Sequence, residues 1–589
     1  MGVKGLQSFL ERVVPGGCTE LNIQERADAH RAHCPQGTRP TIVVDGLSLI
    51  RWIYSCATDY IFGGPWNDLC TAVKHFVQQF ENAGISLVFI FDGCIPKVKM
   101  TEWVMRRALR VKEVAEMYQK LHSGTWSPDY NNAYQCPSGT GYTFSFAVKF
   151  LTLCKVIRSV EDCDIEVARY AETHAECFAV LTQDSDFAIF NLHVTYLSVL
   201  HLNLECMTTR AYHGDALANH LGLDRKVLPL FACLAGNDSV NREMHLARFH
   251  GSLGYPVHQR FHLNACYKKL ADVIRKEGWS LNLEPKVARK TGVPLHVLQH
   301  GISEYDLQQP PLCLRPPPEI DPESWCTAVK CYKDLSVFPG LLQILYGKEL
   351  FLSETTEELL GPHIPPAYSC FRPIRRRVYW VLFGGRQSVE IIEHTAYPFD
   401  IGVRHERVSP TPFIPREAIP TLHELWSGQD NLQHVKWQLF YGCLGVRFSL
   451  ADLAAIPARF VHLCCAVNIM LAARVVEQWE AMAFLVQAMV PPHISSQCSQ
   501  VKIERCRIHP RIVSLATYFM MGVQAVTTAL SACGHPLPLE QALPWLYFDG
   551  KVFHVLYQEL EAGRSVDSIF ENNVQCLEVF YRLWRITSM

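Results

Sequence analysis

The chain has 589 residues, 49% of them hydrophobic and 19% charged, a balance that excludes a disordered polymer and leaves room for roughly two to four domains. A formal net charge of −2 provides no overall attraction to nucleic acid, so any phosphate-binding surface has to be local. MGVKGLQSFL lacks the long apolar core of a signal peptide. No Cys-x2-Cys pair occurs among the 23 cysteines, which argues against a zinc module and for reduced thiols in an intracellular chain.

In chain order, Leu6 to Val14 reads as a short helix and Thr41 to Asp45 (TIVVD) as a strand ahead of Gly46. Asp68 to Asn82 has helix spacing. Ser86 to Asp92 (SLVFIFD) is a second Asp-ended strand, ahead of Gly93, and Trp103 to Leu121 is again helical. Cys177 to Leu181 (CFAVL) reads as a buried parallel strand leading into Asp184 and Asp186. Leu228 to Ala235 (LPLFACLA), before Gly236, Asn237 and Asp238, reads as a further apolar strand of the same kind. Such alternation predicts a mostly parallel sheet with helical crossovers, an α/β domain over residues 1–240. A helical extension follows over 241–305, then a proline-rich linker over 306–325 containing Pro310, Pro311, Pro316, Pro317 and Pro318. Residues 326–589 read as mostly α-helical, with long apolar patterns at Leu432–Tyr441, Ala451–Val490, Val513–Ala532 and Val552–Glu561. Phe460 to Val490 is the most apolar stretch, yet it contains Arg474, Glu477 and Glu480, which suits buried or amphipathic helices and not a membrane span.

Carboxylates gather at predicted strand ends. Asp45, Asp92, Asp162, Asp164, Asp184, Asp186 and Asp238 each lie just past an apolar segment, where parallel sheets place ligands. Glu161 and Glu166 add to the group around Asp162. Acids crowded together repel unless something positive joins them, and a divalent ion such as Mg²⁺, which takes few carboxylates and several waters, would do so. A solvated acidic loop at a helix N-terminus is the plainer account of any one of them. After Asp92, Lys99, Arg106 and Arg110 fall near one helix face, as phosphodiester chemistry would need. Farther on, Arg372, Arg375, Arg376 and Arg377 adjoin Tyr379 and Trp380. That mixture suits phosphate contact with base stacking, and equally a helix face meeting acidic neighbours.

MGVKGLQSFL, VVDG at 43–46, FDG at 91–93, EDCD at 161–164, TQDSD at 182–186 and GND at 236–238 resemble, in order, the flap endonuclease/XPG-type branch of PIN-like domains. That resemblance implies two Mg²⁺ or Mn²⁺ ions held by the seven aspartates, with Lys99 and Arg106 on the catalytic basic helix. Asp162 and Asp164 stand where those nucleases usually carry Glu, one methylene longer. The glycine hairpin that grips duplex in those nucleases is missing after GND, so a substrate would be single-stranded or frayed. GGPWND at 63–68, EWVMRR at 102–107, FACLAGND at 231–238 and FRPIRRRVYWVLFG at 371–384 resemble the constitutive coactivator of PPAR-gamma family, related to the asteroid proteins. This second likeness implies a nuclear or cytoplasmic coactivator or RNA-binding scaffold, with nuclear receptors or other regulatory proteins, and RNA or single-stranded nucleic acid, as partners. The alternatives are an active two-metal nuclease and a purely structural interaction protein with a vestigial acidic site.

Overall fold

The computed structural model describes residues 2–54, 60–93, 100–127, 136–255, 263–352, 356–358, 364–397, 402–428, 430–501 and 508–589. The chain forms two compact units, each discontinuous in sequence: 1–53 with 74–102 and 153–314, and 54–73 with 103–152 and 315–589.

The first unit is built on a seven-stranded sheet: β1 (Cys18–Asn22), β2 (Thr41–Asp45), β3 (Ser86–Phe91), β4 (Lys155–Arg158), β5 (Cys177–Thr182), β6 (Thr195–Ser198) and β7 (Thr208–Tyr212). Its strand order is β1-β7-β6-β5-β2-β3-β4. Strands β6, β5, β2, β3 and β4 run parallel, while β7 pairs antiparallel with β6 and β1. Val43 of β2 faces Val88 on one side and Val180 on the other. Every residue of β2 and β5 is buried, which explains why both read as unbroken apolar runs and not as alternating ones. The helix Cys163–Thr173 contributes Val167, Ala168 and Ala171 to the core beneath these strands, and the N-terminal helix Leu6–Arg12 adds Leu6, Phe9 and Leu10.

Leu228–Ala235 is a helix and not a strand. Seven of its eight residues are buried, so the run carries no polar stripe, and periodicity cannot separate a buried helix from a buried strand. The decisive signals are local: Pro229 in the first turn and Gly236 at the C-terminal end with φ of 100°.

The second unit is mostly helical, as expected of residues 326–589, with a small sheet besides. Strands β8 (Glu349–Phe351), β9 (Ile391–Tyr397) and β10 (Gly402–Val408) pair in the order β10-β9-β8. The helix Pro510–Ala532 lies at the centre, against Val461–Ala472 and Arg372–Leu382. Among the described residues it alone is long and apolar enough to cross a membrane, but 94% of its apolar window is buried in the unit, which is how a core helix reads. Early segments of the chain complete this core. The Phe62 ring lies 5.0 Å from that of His554, the Gly550 amide donates to the Gly64 carbonyl at 3.0 Å, and the Tyr118 hydroxyl donates to the Thr356 carbonyl at 2.6 Å. Gly63, with φ of 90°, passes so near Ala516 that a side chain would collide with it.

Candidate functional site

Four segments of the first unit bring aspartates to the carboxyl end of the parallel strands. Asp45 closes β2 and is 7% exposed. One of its oxygens accepts from the Leu47 amide at 3.1 Å and the Ser48 amide at 3.3 Å; the other accepts from the Thr182 hydroxyl at 2.9 Å and from the Ser48 hydroxyl. Asp184, 6% exposed, caps the turn after β5 and accepts from the Asp186 amide at 3.0 Å. Asp162 caps the helix Cys163–Thr173 by accepting from the Asp164 amide at 3.2 Å. Each is an ordinary Asp cap, so the turns and the cluster use the same residues.

Asp186 is held from two sides. The Val3 amide donates to one oxygen and the Tyr305 hydroxyl to the other, both at 3.0 Å. Tyr305 in turn accepts from the Asn237 side-chain amide at 3.3 Å, next to Asp238. At Gly2, with φ of 46°, a Cβ would run into carboxylate oxygens of both Asp184 and Asp186; only glycine lets the N-terminal backbone come so close. Gly2, Val3, Ser48, Thr182, Asn237 and Tyr305 were not apparent as site residues in the sequence. Tyr305 had no local signal, because it reaches Asp186 from 119 residues away.

Electrostatics tie the cluster together. Burial first, then Asp184, Asp162 and Asp45, pushes the Asp164 carboxyl well above the usual range. Burial and then Asp184 do the same to Asp186, with Asp238 adding to the rise and the Tyr305 hydrogen bond opposing it. Asp45 is raised by burial and, more weakly, by Asp184, against the pull of its Ser48 and Thr182 hydrogen bonds. Asp92 is exposed, past the end of β3, and after burial it heads the charges that raise the Cys163 thiol, followed by Asp45, Asp164 and Asp162. Negative charges without cations among them raise one another's proton affinity in this way. Glu161 and Glu166 stand apart: Glu161 is paired with Arg169, and Glu166 accepts from the Val160 amide at 2.7 Å and the Glu161 amide at 3.1 Å.

Lys99 lies outside the described residues. Arg106 is exposed on the helix Met100–His122 and belongs to the second unit. Arg372 and Arg375 are taken up inside that unit. Arg375 is 5% exposed and grips Glu393 with two nitrogens, each at 2.8 Å, while Arg372 donates to Glu393 at 3.1 Å and pairs with Glu406. Arg376 donates to the Ser409 carbonyl at 3.0 Å and Arg377 to the Cys443 carbonyl at 3.5 Å. In place of the phosphate expected for Arg372 and Arg375, the structure supplies carboxylates, because β9 and β10 place Glu393 and Glu406 beside their helix.

No family model matches the chain. A bovine (Bos taurus) protein named constitutive coactivator of peroxisome proliferator-activated receptor gamma is 26% identical over 677 aligned positions, covering 99% of this chain and 94% of that protein. The chain is a relative of these coactivators. The human (Homo sapiens) protein of the same name is 38% identical over 247 positions, covering 41% of this chain and 26% of its own length. Among solved structures, the catalytic core of Rad2 in complex with DNA substrate matches over 53% of this chain and 89% of that one, with 16% identity and a TM-score of 0.29.

In charge, the aspartates suit Mg²⁺ or Mn²⁺. Among the described residues no three His, Cys, Asp or Glu side chains converge on one ion. An ion of this class needs only one or two carboxylates beside its waters, so pairs drawn from Asp45, Asp162, Asp164, Asp184, Asp186 and Asp238 meet the requirement.

Proposed function

We propose that the chain is a coactivator-type scaffold built on a nuclease-like α/β unit, acting in the nucleus or cytoplasm by holding regulatory proteins, nuclear receptors among them, and RNA or single-stranded nucleic acid. The observation that carries this reading is kinship along 99% of the chain with proteins named as coactivators of a nuclear receptor. The engagement of both oxygens of Asp45 and of Asp186 by the protein's own donors supports a role in which the cluster is structural. Direct titration of the purified chain against peroxisome proliferator-activated receptor gamma, paired with a receptor-driven reporter, tests it. Absence of binding together with an unmoved reporter would refute the coactivator reading.

The coupled carboxylates favour a second reading, a metal-dependent nuclease. In it Asp45, Asp92, Asp162 and Asp164 would hold one ion and Asp184, Asp186 and Asp238 the other. Such ions stabilise the entering and leaving oxygens of a phosphodiester displacement. Tyr305 and the Val3 amide would orient Asp186, and Lys99 and Arg106 would offset charge on the phosphate. Melting with and without millimolar Mn²⁺ reads metal binding, since a ligand bound to the native state raises the midpoint. The expected result is a rise in wild type that Asp184→Ala abolishes; an unmoved wild-type midpoint would rule the metal out. Cleavage of single-stranded and flap substrates no faster than by Asp186→Ala would leave the scaffold alone.

A further inference from the structure

The second unit contains a cavity of about 300 Å³ lined by Ser336, Val337, Trp426, Gln433, Lys436 and His535 among others. Lys436 is 5% exposed, and no Asp or Glu is among the lining residues. A second ammonium stands one hydroxyl away, Lys149 donating to Ser336 at 3.3 Å. The nearest acid bearing on the wall is Asp334, which acts on Cys331 and is itself exposed. The charges that hold His535 neutral, after burial, are again Lys436 and Lys149.

The backbone around the cavity is specialised. His535 has φ of 56° and Gly534 φ of 75°, and a Cβ at Gly534 would strike the Leu425 carbonyl and crowd the Lys436 stem at 3.1 Å. A left-handed non-glycine residue beside a cavity marks geometry held by its surroundings. Trp426 is fixed by its indole N–H donating to the Ser531 carbonyl at 2.8 Å, so a planar apolar wall stands next to the ammonium. A buried cation facing an open space without a carboxylate is matched by an anion that brings charge-assisted hydrogen bonds.

We propose that this cavity binds a small organic carboxylate, its charged end at Lys436 and Lys149 and its apolar body against Trp426 and Val337. The full chain is titrated calorimetrically with benzoate, with benzamide as the neutral isostere and inorganic phosphate as the anion without an apolar body. Benzoate should bind at one site, with benzamide and phosphate each about tenfold weaker or more. Lys436→Met should weaken benzoate by about tenfold or more and leave benzamide unchanged. Lys149→Met changes a half-exposed side chain and keeps the test valid if Lys436→Met does not fold; it should weaken benzoate severalfold. Benzoate binding no better than benzamide, phosphate binding as well as benzoate, or benzoate affinity unmoved in Lys149→Met would each overturn the proposal.

Discussion

Replacing Arg375 with methionine should be among the most destabilising single changes in the second unit. Glu393 is fully buried. One of its oxygens accepts from Arg375 and Tyr379, each at 2.8 Å, and the other from Arg375 at 2.8 Å and Arg372 at 3.1 Å. Burial alone would raise its carboxyl, but the Arg375 charge and hydrogen bonds outweigh it and hold the group below its ordinary range. Arg375→Met removes two of these four bonds and the donor to the Tyr368 carbonyl at 2.6 Å. Part of the loss is offset because the guanidinium no longer has to be desolvated; breaking one side of a buried pair nets about 3–5 kcal/mol. For a unit of this size that is a fall in melting temperature of roughly 6–20 °C. Since Glu393 is depressed in the folded state, its contribution is complete above the unfolded carboxylate pKa and is lost as pH falls through the folded one. The gap between wild type and variant should therefore narrow in acid. Replacing both partners, Arg375→Met with Glu393→Leu, should restore roughly half the loss or more. Calorimetric scans at neutral and acid pH measure all three. A fall under about 2 °C for Arg375→Met, or a gap that widens in acid, would refute the account of these arginines as internal ties.

Three further outcomes follow from buried groups. His462 is fully buried with neither ring nitrogen hydrogen-bonded, and burial lowers its pKa to about 3. The unfolded chain takes up its proton on acidification before the folded chain does, so His462→Leu should raise the melting temperature, and by more at pH 5 than at pH 7.5; equal shifts would contradict this. Tyr305→Phe removes the hydroxyl shared by Asp186 and Asn237, which should cost about 1–3 kcal/mol in urea titration. It should also raise the Asp186 carboxyl further, since the lost bond opposed that rise. Asp45→Asn keeps the shape but turns an acceptor oxygen into a donor against Ser48 or Thr182, and should lower stability by about 1–3 kcal/mol. A neutral result there would mean that Asp45 is already protonated and donating.

Much of the first unit was legible because its strands are buried on both faces. TIVVD, SLVFIF and CFAVLT have no alternative as amphipathic helices, and the Asp that ends or follows each marks the sheet's carboxyl edge. LPLFACLA failed by the same logic, since a helix buried all round is as apolar as a central strand. IIEHTAY and GVRHERV were passed over among helices because Glu393, His394 and Glu406 break their apolar content. Those same residues carry the internal pairing that turned the arginines inward. Within Ala451–Val490 the single helical pattern is three helices, Leu450–Ala455, Val461–Ala472 and Gln478–Met489. Pro457 and the left-handed Arg474 supply the breaks. Of the site, residue types at strand ends could be read, while the Tyr305 and Val3 contacts depend on chain returning from far away in sequence.

The interleaving of the two units has a consequence during synthesis. Segments 54–73 and 103–152 leave the ribosome well before residue 315, where the rest of their unit begins. At about 5–20 residues per second, residue 152 is made roughly 8–30 s before translation even reaches 315. Through that interval Trp66, Phe144 and Phe146, all fully buried in the finished protein, have no native surface to cover them. The nascent chain is thus an obligate client of whatever shelters apolar segments at the exit tunnel. Slowing translation between residues 153 and 315 should lower its yield, whereas in proteins whose domains are contiguous in sequence such pauses give each domain time to fold.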